Sequence, residues 1–322
     1  VNWNGNYSCS CSSGFNKIDN EKITRCYPNN ELYGKDGNLL IGVDNTIQQY
    51  EPNKNLLKVA AKLGRRINRM AINARLGLVY WTDIYQQQIY RAALSANRTE
   101  IGIPQALNTS HKIENPDAIA VDWYTNNIYV TDKDKGAIYV AREDGKYIRT
   151  IVNASLRRPT SIAVNPVLGQ IYWVDEVNKR IESANLNGSD IKVIVNQDII
   201  APKDLAIDYP MNNRIFWTDR EKNVIETMRP DGSDRKVVAK RVNGPNKLDV
   251  TFQNLIWTSD ANSKIWYMNK FGHGVNVTYN MSYGAVPSDI KMFHLQRYTE
   301  GIPDWVTNCP HLTLTTPGTS RG

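Results

Sequence analysis

Long apolar runs are missing from this 322-residue chain. None approaches the roughly 18 uninterrupted apolar residues that a membrane-spanning helix requires. No Gly-x-Ser-x-Gly elbow, Walker loop or paired-histidine metal motif occurs, so the usual sequence grounds for hydrolase, nucleotide or zinc chemistry are lacking. Nor does a basic start lead from Val1 into an apolar stretch; no signal peptide is read, and the sequence is expected to be a piece of a longer one. What is present suffices for a core: 41% of residues are hydrophobic and 9% aromatic, which excludes global disorder. The formal charge is +7, but the basic residues are dispersed. The densest clusters, Lys62 to Arg69, Arg157-Arg158 and Lys236 to Arg241, are short and run into apolar residues. They read as solvated positive surface rather than a phosphate-tracking stripe, and no nucleic-acid partner is expected.

One stretch is written repeatedly. Tyr80-Trp81-Thr82-Asp83 returns as Tyr129-Val130-Thr131-Asp132, Tyr172-Trp173-Val174-Asp175, Phe216-Trp217-Thr218-Asp219 and Ile256-Trp257-Thr258-Ser259-Asp260, at spacings of 49, 43, 44 and 40 residues. Pro116, Pro159, Pro202, Pro245 and Pro287 follow one another at 43, 43, 43 and 42 residues, each before a short apolar run. A period of this size built from short strands means propeller blades. One unit shows the pattern. Ile119-Ala120-Val121 is a buried strand, Ile128 to Thr131 a second, Ala137 to Arg142 a third and Tyr147 to Val152 a fourth, with Asp144-Gly145 as a hairpin turn. Six inner strands are followed by only five aromatic strands, while Asn38 to Val43 has strand character and no inner strand before it. The expected fold is therefore all-β, a six-bladed propeller closed by one composite blade: its inner strand from 287–293, the other three from about 39–61. Such closure leaves no open sheet edge at the seam.

The flanks differ. Residues 1–30 hold Cys9, Cys11 and Cys26 beside Gly14-Phe15, and resemble the second half of an EGF-like module. The resemblance makes these the fourth, fifth and sixth cysteines and pairs Cys11 with Cys26, closing a loop worth about 3 kcal/mol in the chain-entropy model. It leaves Cys9 to a partner upstream of Val1. Asn2 with Tyr7-x-Cys9-x-Cys11 also resembles the calcium-binding variant, half of whose site would be missing; a plain turn asparagine is the competing reading. Calcium there is the only cofactor implied. The propeller occupies 31–297, and 298–322 is a tail or the degenerate start of a second EGF-like module around Cys309. Seven Asn-x-Ser/Thr sequons, at Asn6, Asn97, Asn108, Asn153, Asn187, Asn276 and Asn280, favour a glycosylated chain in the secretory path.

Repeated Tyr-Trp-Thr-Asp, the six-blade count and the EGF-like half together resemble the low-density lipoprotein receptor family over roughly residues 1–297. The aromatic positions Tyr80, Trp81, Tyr129, Tyr172, Trp173, Phe216, Trp217 and Trp257 are expected to fill space between sheets. The resemblance gives Asp83, Asp132, Asp175, Asp219 and Asp260 the role of locking neighbouring blades. A ring of aspartates could instead signal a metal or acid–base site, but each recurs at a framework position of its own blade. Val130 and Val174 depart from the motif and Ser259 reads as an insertion, so those blades are expected to be less tightly locked. Binding is expected on the loops that follow the motif, at Tyr85, Lys133, Lys135, Glu176, Arg180, Arg220 and Lys222, where a basic surface suits an acidic partner.

What the resemblance implies is a non-catalytic ectodomain segment of an endocytic receptor for lipoprotein or yolk-protein cargo, on a membrane-anchored type I parent cycling through endosomes. It would act as spacer and as acid-dependent release or binding module, with a protein or lipoprotein ligand and other modules of the same receptor as partners. His111 and His294 are the candidate acid sensors; ordinary surface histidines are the competing reading. The alternative is a propeller like those of Wnt co-receptors or nidogen, gripping a protein directly. A calcium-dependent propeller hydrolase comes third.

Overall fold

The computed structural model describes residues 15–20, 23–28, 38–51, 56–95, 100–109, 113–153, 155–209, 213–251, 254–270, 275–280 and 286–293. Among these, every regular element is a β-strand. Six four-stranded antiparallel sheets account for all but two strands. Blade I is the composite: Asp289–Phe293 pairs with Asn38–Val43, followed by Thr46–Glu51 and Leu56–Lys62. Blade II runs through Arg69–Asn73, Leu78–Asp83, Gln88–Ala93 and Gln105–Ala106. Blades III, IV and V begin with Pro116–Val121, Pro159–Asn165 and Pro202–Asp208, and blade VI comprises Pro245–Val250, Asn254–Ser259, Asn262–Asn269 and Val275–Asn280. The closure inferred from strand counting is the closure observed. Register Ile290↔Ile41 and Lys291↔Leu40 puts Leu40-Ile41-Gly42-Val43 where the other blades carry the motif.

Alternation along the motif strand decides where the core sits. Successive side chains of a strand point to opposite faces, so the first motif residue faces the next blade and the second faces the previous one. Tyr80 joins the cluster of Ile119, Ile128 and Val130 in blade III, while Trp81 joins Leu40 and Ile47 of blade I. The same division places Tyr129 with Trp173, Tyr172 with Trp217, and Phe216 with Trp257. Leu40 faces blade II and Ile41 faces blade VI, so the composite blade obeys the rule with aliphatic residues. Six clusters result, one per boundary. Opposite the motif tryptophan, Trp81 stacks on Tyr90 at 5.6 Å and Trp257 on Trp266 at 6.5 Å.

Threonine in the motif has its own task. In blades III, V and VI the inner ladder skips after its proline. The hydroxyls of Thr131, Thr218 and Thr258 accept the freed N–H of Ala118, Asp204 and Lys247 at 2.9, 3.1 and 3.1 Å. Blade IV, where Val174 lacks a hydroxyl, resumes pairing earlier, at Ser161↔Val174. Backbone pairing there replaces the side chain, so the valine does not leave the blade loose. Val130 is fully buried as well, against Tyr139.

Phe15–Asn20 and Ile23–Pro28 form a separate hairpin in which Lys17 opposes Cys26. The Cys11–Cys26 pairing, Asn2, Cys9 and the tail from 298 lie outside the described residues.

Candidate functional site

Four of the motif aspartates, Asp83, Asp132, Asp175 and Asp219, are buried, and their geometry is that of a clamp. Asp132 accepts N–H groups from Asp134 and Lys135 in the loop after its strand, at 3.2 and 3.0 Å, and from Glu114 and Asn115 in the segment entering its own blade, at 2.9 and 3.1 Å. Asp175 repeats this with Asn178, Arg157 and Arg158, and Asp219 with Lys222, Ile200 and Ala201. Each carboxylate thus satisfies backbone donors in two loops that water would otherwise have to solvate. Asp83 holds only its own loop, through Tyr85 and Gln86. The segment each clamp grips is the connector from the preceding blade.

Two expectations change here. Ser259 is not an insertion: Pro245 opposes Ser259 as Pro116 opposes Asp132 and Pro202 opposes Asp219. The serine replaces the aspartate, donating to the Asn243 carbonyl and accepting from Ala261 N–H. Asp260 falls one position beyond the clamp and instead pairs with Arg220 at 3.3 Å. The direct blade-to-blade locks are also not made by the motif aspartates. They come from inner strands: Asp289 accepts Met70 N–H at 2.6 Å, Ser161 accepts Leu205 N–H at 3.2 Å, Asp204 accepts Leu248 N–H at 2.9 Å and Asp249 accepts Met292 N–H at 2.6 Å. Thr82 supplies another, donating to the Asp117 carbonyl at 2.7 Å. Charged residues inside the otherwise apolar runs after each proline, as in Pro202-Lys203-Asp204, are the sequence signal that could have found them.

These inner residues close the central channel. Arg69 from blade II places its guanidinium 3.0 Å from Asp204 and 3.7 Å from Asp289, and donates to the carbonyls of Thr160 and Lys203 at 2.9 and 3.3 Å. Burial is the largest single effect and resists ionisation of Asp204, but Arg69, Lys291, Lys247 and the Ser161 hydroxyl together outweigh it and hold the carboxyl at about 2. Lys247 is pushed the other way, down to about 8, by burial and by Arg69, against the pull of Asp204, Asp289 and Asp117. At the opposite end Trp123 meets Tyr209 edge-on, 4.4 Å between ring centroids. Between plug and lid lies a chamber of about 80 Å³ walled by alanine and aliphatic side chains of the inner strands.

Above the plug, on the motif-loop side, a cavity of about 210 Å³ opens. Of the residues expected on a binding face, Lys133 and Glu176 line it, together with Arg158, Lys203, Lys247 and Asp260. Arg220 borders it through Asp260. Tyr85 lines a second cavity of about 210 Å³ beside Arg66, Ile67, Asn68 and Ser288. Lys135, Arg180 and Lys222 are not brought to either cavity; ion pairs with Glu114 at 2.9 Å, Glu182 at 3.1 Å and Asp198 at 2.8 Å hold them elsewhere. Asn108, Asn153 and Asn187 are exposed. Asn6 and Asn97, with His111 and His294, lie outside the described residues, and the side chains of Asn276 and Asn280 are not described.

Comparison with known proteins agrees with this geometry. The low-density lipoprotein receptor repeat class B matches residues 169–209, the hairpin of blade IV through the start of blade V. Low-density lipoprotein receptor-related protein 8 of Gallus gallus is 32% identical over 73 residues, which is 23% of this chain and 8% of that relative. Among solved structures, a chain of a nidogen–laminin complex superposes with a TM-score of 0.72 at 22% identity, over 80% of this chain and 98% of that one. A streptogramin B lyase superposes with a TM-score of 0.56 at 12% identity, over 77% and 88%, a likeness of fold alone. The chain thus carries a low-density lipoprotein receptor class B repeat in blade IV of a closed six-bladed ring, and it resembles the YWTD propellers of that receptor family.

Proposed function

We propose that this propeller is a non-catalytic, extracellular protein-binding segment of an endocytic receptor. The observation that carries the reading is the cavity above the Arg69 plug, a dish with a charged floor into which one side chain of a partner fits. Carboxylates of the motif are spent on backbone N–H groups, which supports binding over acid–base work. The nidogen-like superposition favours a second reading, in which the propeller itself is the primary grip on an extracellular protein.

Acid-dependent release follows from charge. Protonating His111 or His294 near pH 6 adds positive charge to a chain already at +7. That strengthens the hold on an acidic module of the same receptor, which then competes with cargo. The experiment is capture of ligands from extracellular fluid by the immobilised chain at pH 7.4, followed by a shift to pH 5.5. The reading expects a Lys133→Glu/Arg158→Glu variant to lose capture and His111→Ala/His294→Ala to lose the acid response. Capture that survives charge reversal overturns the site, and capture indifferent to acid in the unaltered chain overturns release.

A further inference from the structure

We propose that the motif-loop face also binds a sulfated polysaccharide, a ligand class independent of the protein partner above. The basis is a set of cations without carboxylate partners. Arg65, Arg66, Lys133, Arg157 and Lys247 have no acidic oxygen within 4.0 Å among the described residues, in a chain where most described lysines and arginines near the same loops are paired. Arg65 and Arg66 lie instead over the rings of Tyr90 and Tyr85, at 4.9 and 4.7 Å. Such contacts hold a guanidinium in place while leaving N–H donors for a ligand; Arg65 spends one of its donors on the Gln86 side-chain oxygen.

Topology puts these groups on one surface. Arg65-Arg66 lie in the segment that enters the inner strand of blade II, with Ile67-Asn68 between, and Arg157-Arg158 immediately precede the inner strand of blade IV. Between them open the two cavities: Arg66 lines one, and Lys133, Arg158 and Lys247 line the other, with Asn68 and Arg69 joining them. Of the carboxylates lining the two cavities, Glu176 pairs with Lys203 and Arg158, Asp260 pairs with Arg220, Asp117 accepts from the Asn68 side chain at 2.6 Å, and Asp44 stands at the cavity beside Arg66. An extended polyanion laid from the first arginine pair to the second meets unpaired cations along its length, and one sulfate reaches the cavity above Arg69. A nucleic acid fits less well. Single strands are held by stacking on aromatic rings, and Tyr85 is the one strongly exposed aromatic of this face among the described residues, already covered by Arg66.

The test uses the full chain on immobilised heparin and heparin oligosaccharides in solution, with chondroitin sulfate and a single-stranded oligonucleotide as comparators. The unaltered chain is expected to stay bound at ~0.15 M salt, and its affinity to fall log-linearly with salt, by about one unit of slope per anion contact. Arg157→Glu/Arg158→Glu and Arg65→Glu/Arg66→Glu should each weaken binding about tenfold or more and reduce the slope by about two units. Lys192→Glu, an exposed lysine paired with Asp190, should change neither by more than about twofold. Thermal melts confirm that each variant is folded; conservative Arg→Gln pairs serve if a reversal is not. Elution below ~0.15 M salt, equal loss in Lys192→Glu, or equal affinity for the oligonucleotide overturns the proposal.

Discussion

The guanidinium of Arg69 lies 3.0 Å from the carboxylate of Asp204 across the axis of the ring, joining blade II to blade V on the far side. Both side chains are buried. Breaking a buried pair by removing one partner strands the other charge, at about 3–5 kcal/mol. Arg69→Leu is therefore expected to lower the urea midpoint by that equivalent, because Asp204 and Asp289 are left facing each other. Arg69→Leu with Asp204→Leu should recover a large part of the loss. A single variant as stable as the parent removes the strut from the account.

Asp204 and Lys247 give opposite pH signatures. Asp204 is ionised more readily folded than unfolded, so its contribution is full above pH ~4 and fades as pH falls toward 2. Lys247 binds its proton less tightly folded than unfolded, so stability rises with pH from about 8 to the ordinary lysine value near 10.4. Lys247→Met should raise the melting temperature at pH 7 and flatten that rise. A melting temperature that falls at pH 7 contradicts the burial of this amine beside Arg69.

The clamp and its neighbour separate two aspartates that the motif makes look alike. Asp219→Ala orphans the backbone donors of Ile200, Ala201 and Lys222, and should cost about 2–4 kcal/mol. Asp260→Ala removes a partly exposed ion pair with Arg220 and an exposed hydrogen bond from the Asn246 side chain, together worth about 0–1 kcal/mol. Guanidinium unfolding of the two variants side by side decides it. Equal costs would return Asp260 to the clamp.

Gly188 carries the tightest approach of backbone to a neighbouring blade. Its φ is +83°, and a Cβ there would stand 2.1 Å from the carbonyl oxygen of Ile151 in blade III. Gly64, at φ +65°, has nothing within 4 Å of the same position. Gly64→Ala should cost about 1–2 kcal/mol for the left-handed backbone alone, and Gly188→Ala clearly more, since two blades must also move apart. Thermal denaturation of both variants measures the difference.

The order of strands, the six-fold count and the composite closure were legible because they rest on local rules. Strands alternate, hairpins turn at Asn-Gly and Asp-Gly, and a sheet edge must be covered. The motif aromatics were legible for the same reason, as large side chains at a fixed place in a repeating period. Ser259 was misread because register is a property of a pair of strands: only its opposition to Pro245 shows a replacement rather than an insertion.

The site was partly legible. Loops after the motif were expected to form a face, and Lys133 and Glu176 do line its cavity. That Lys135, Arg180 and Lys222 are held away in ion pairs, and that Arg69 reaches Asp204 across 135 positions of sequence, follows from no spacing or period. The sequence by itself determined the blades and which residues sit between them, since periodicity sorts side chains to faces before any long-range contact forms. Only the tertiary structure decided what fills the axis, because closing the ring brings together charges from separate blades, and their pairing depends on distance in space rather than position along the chain.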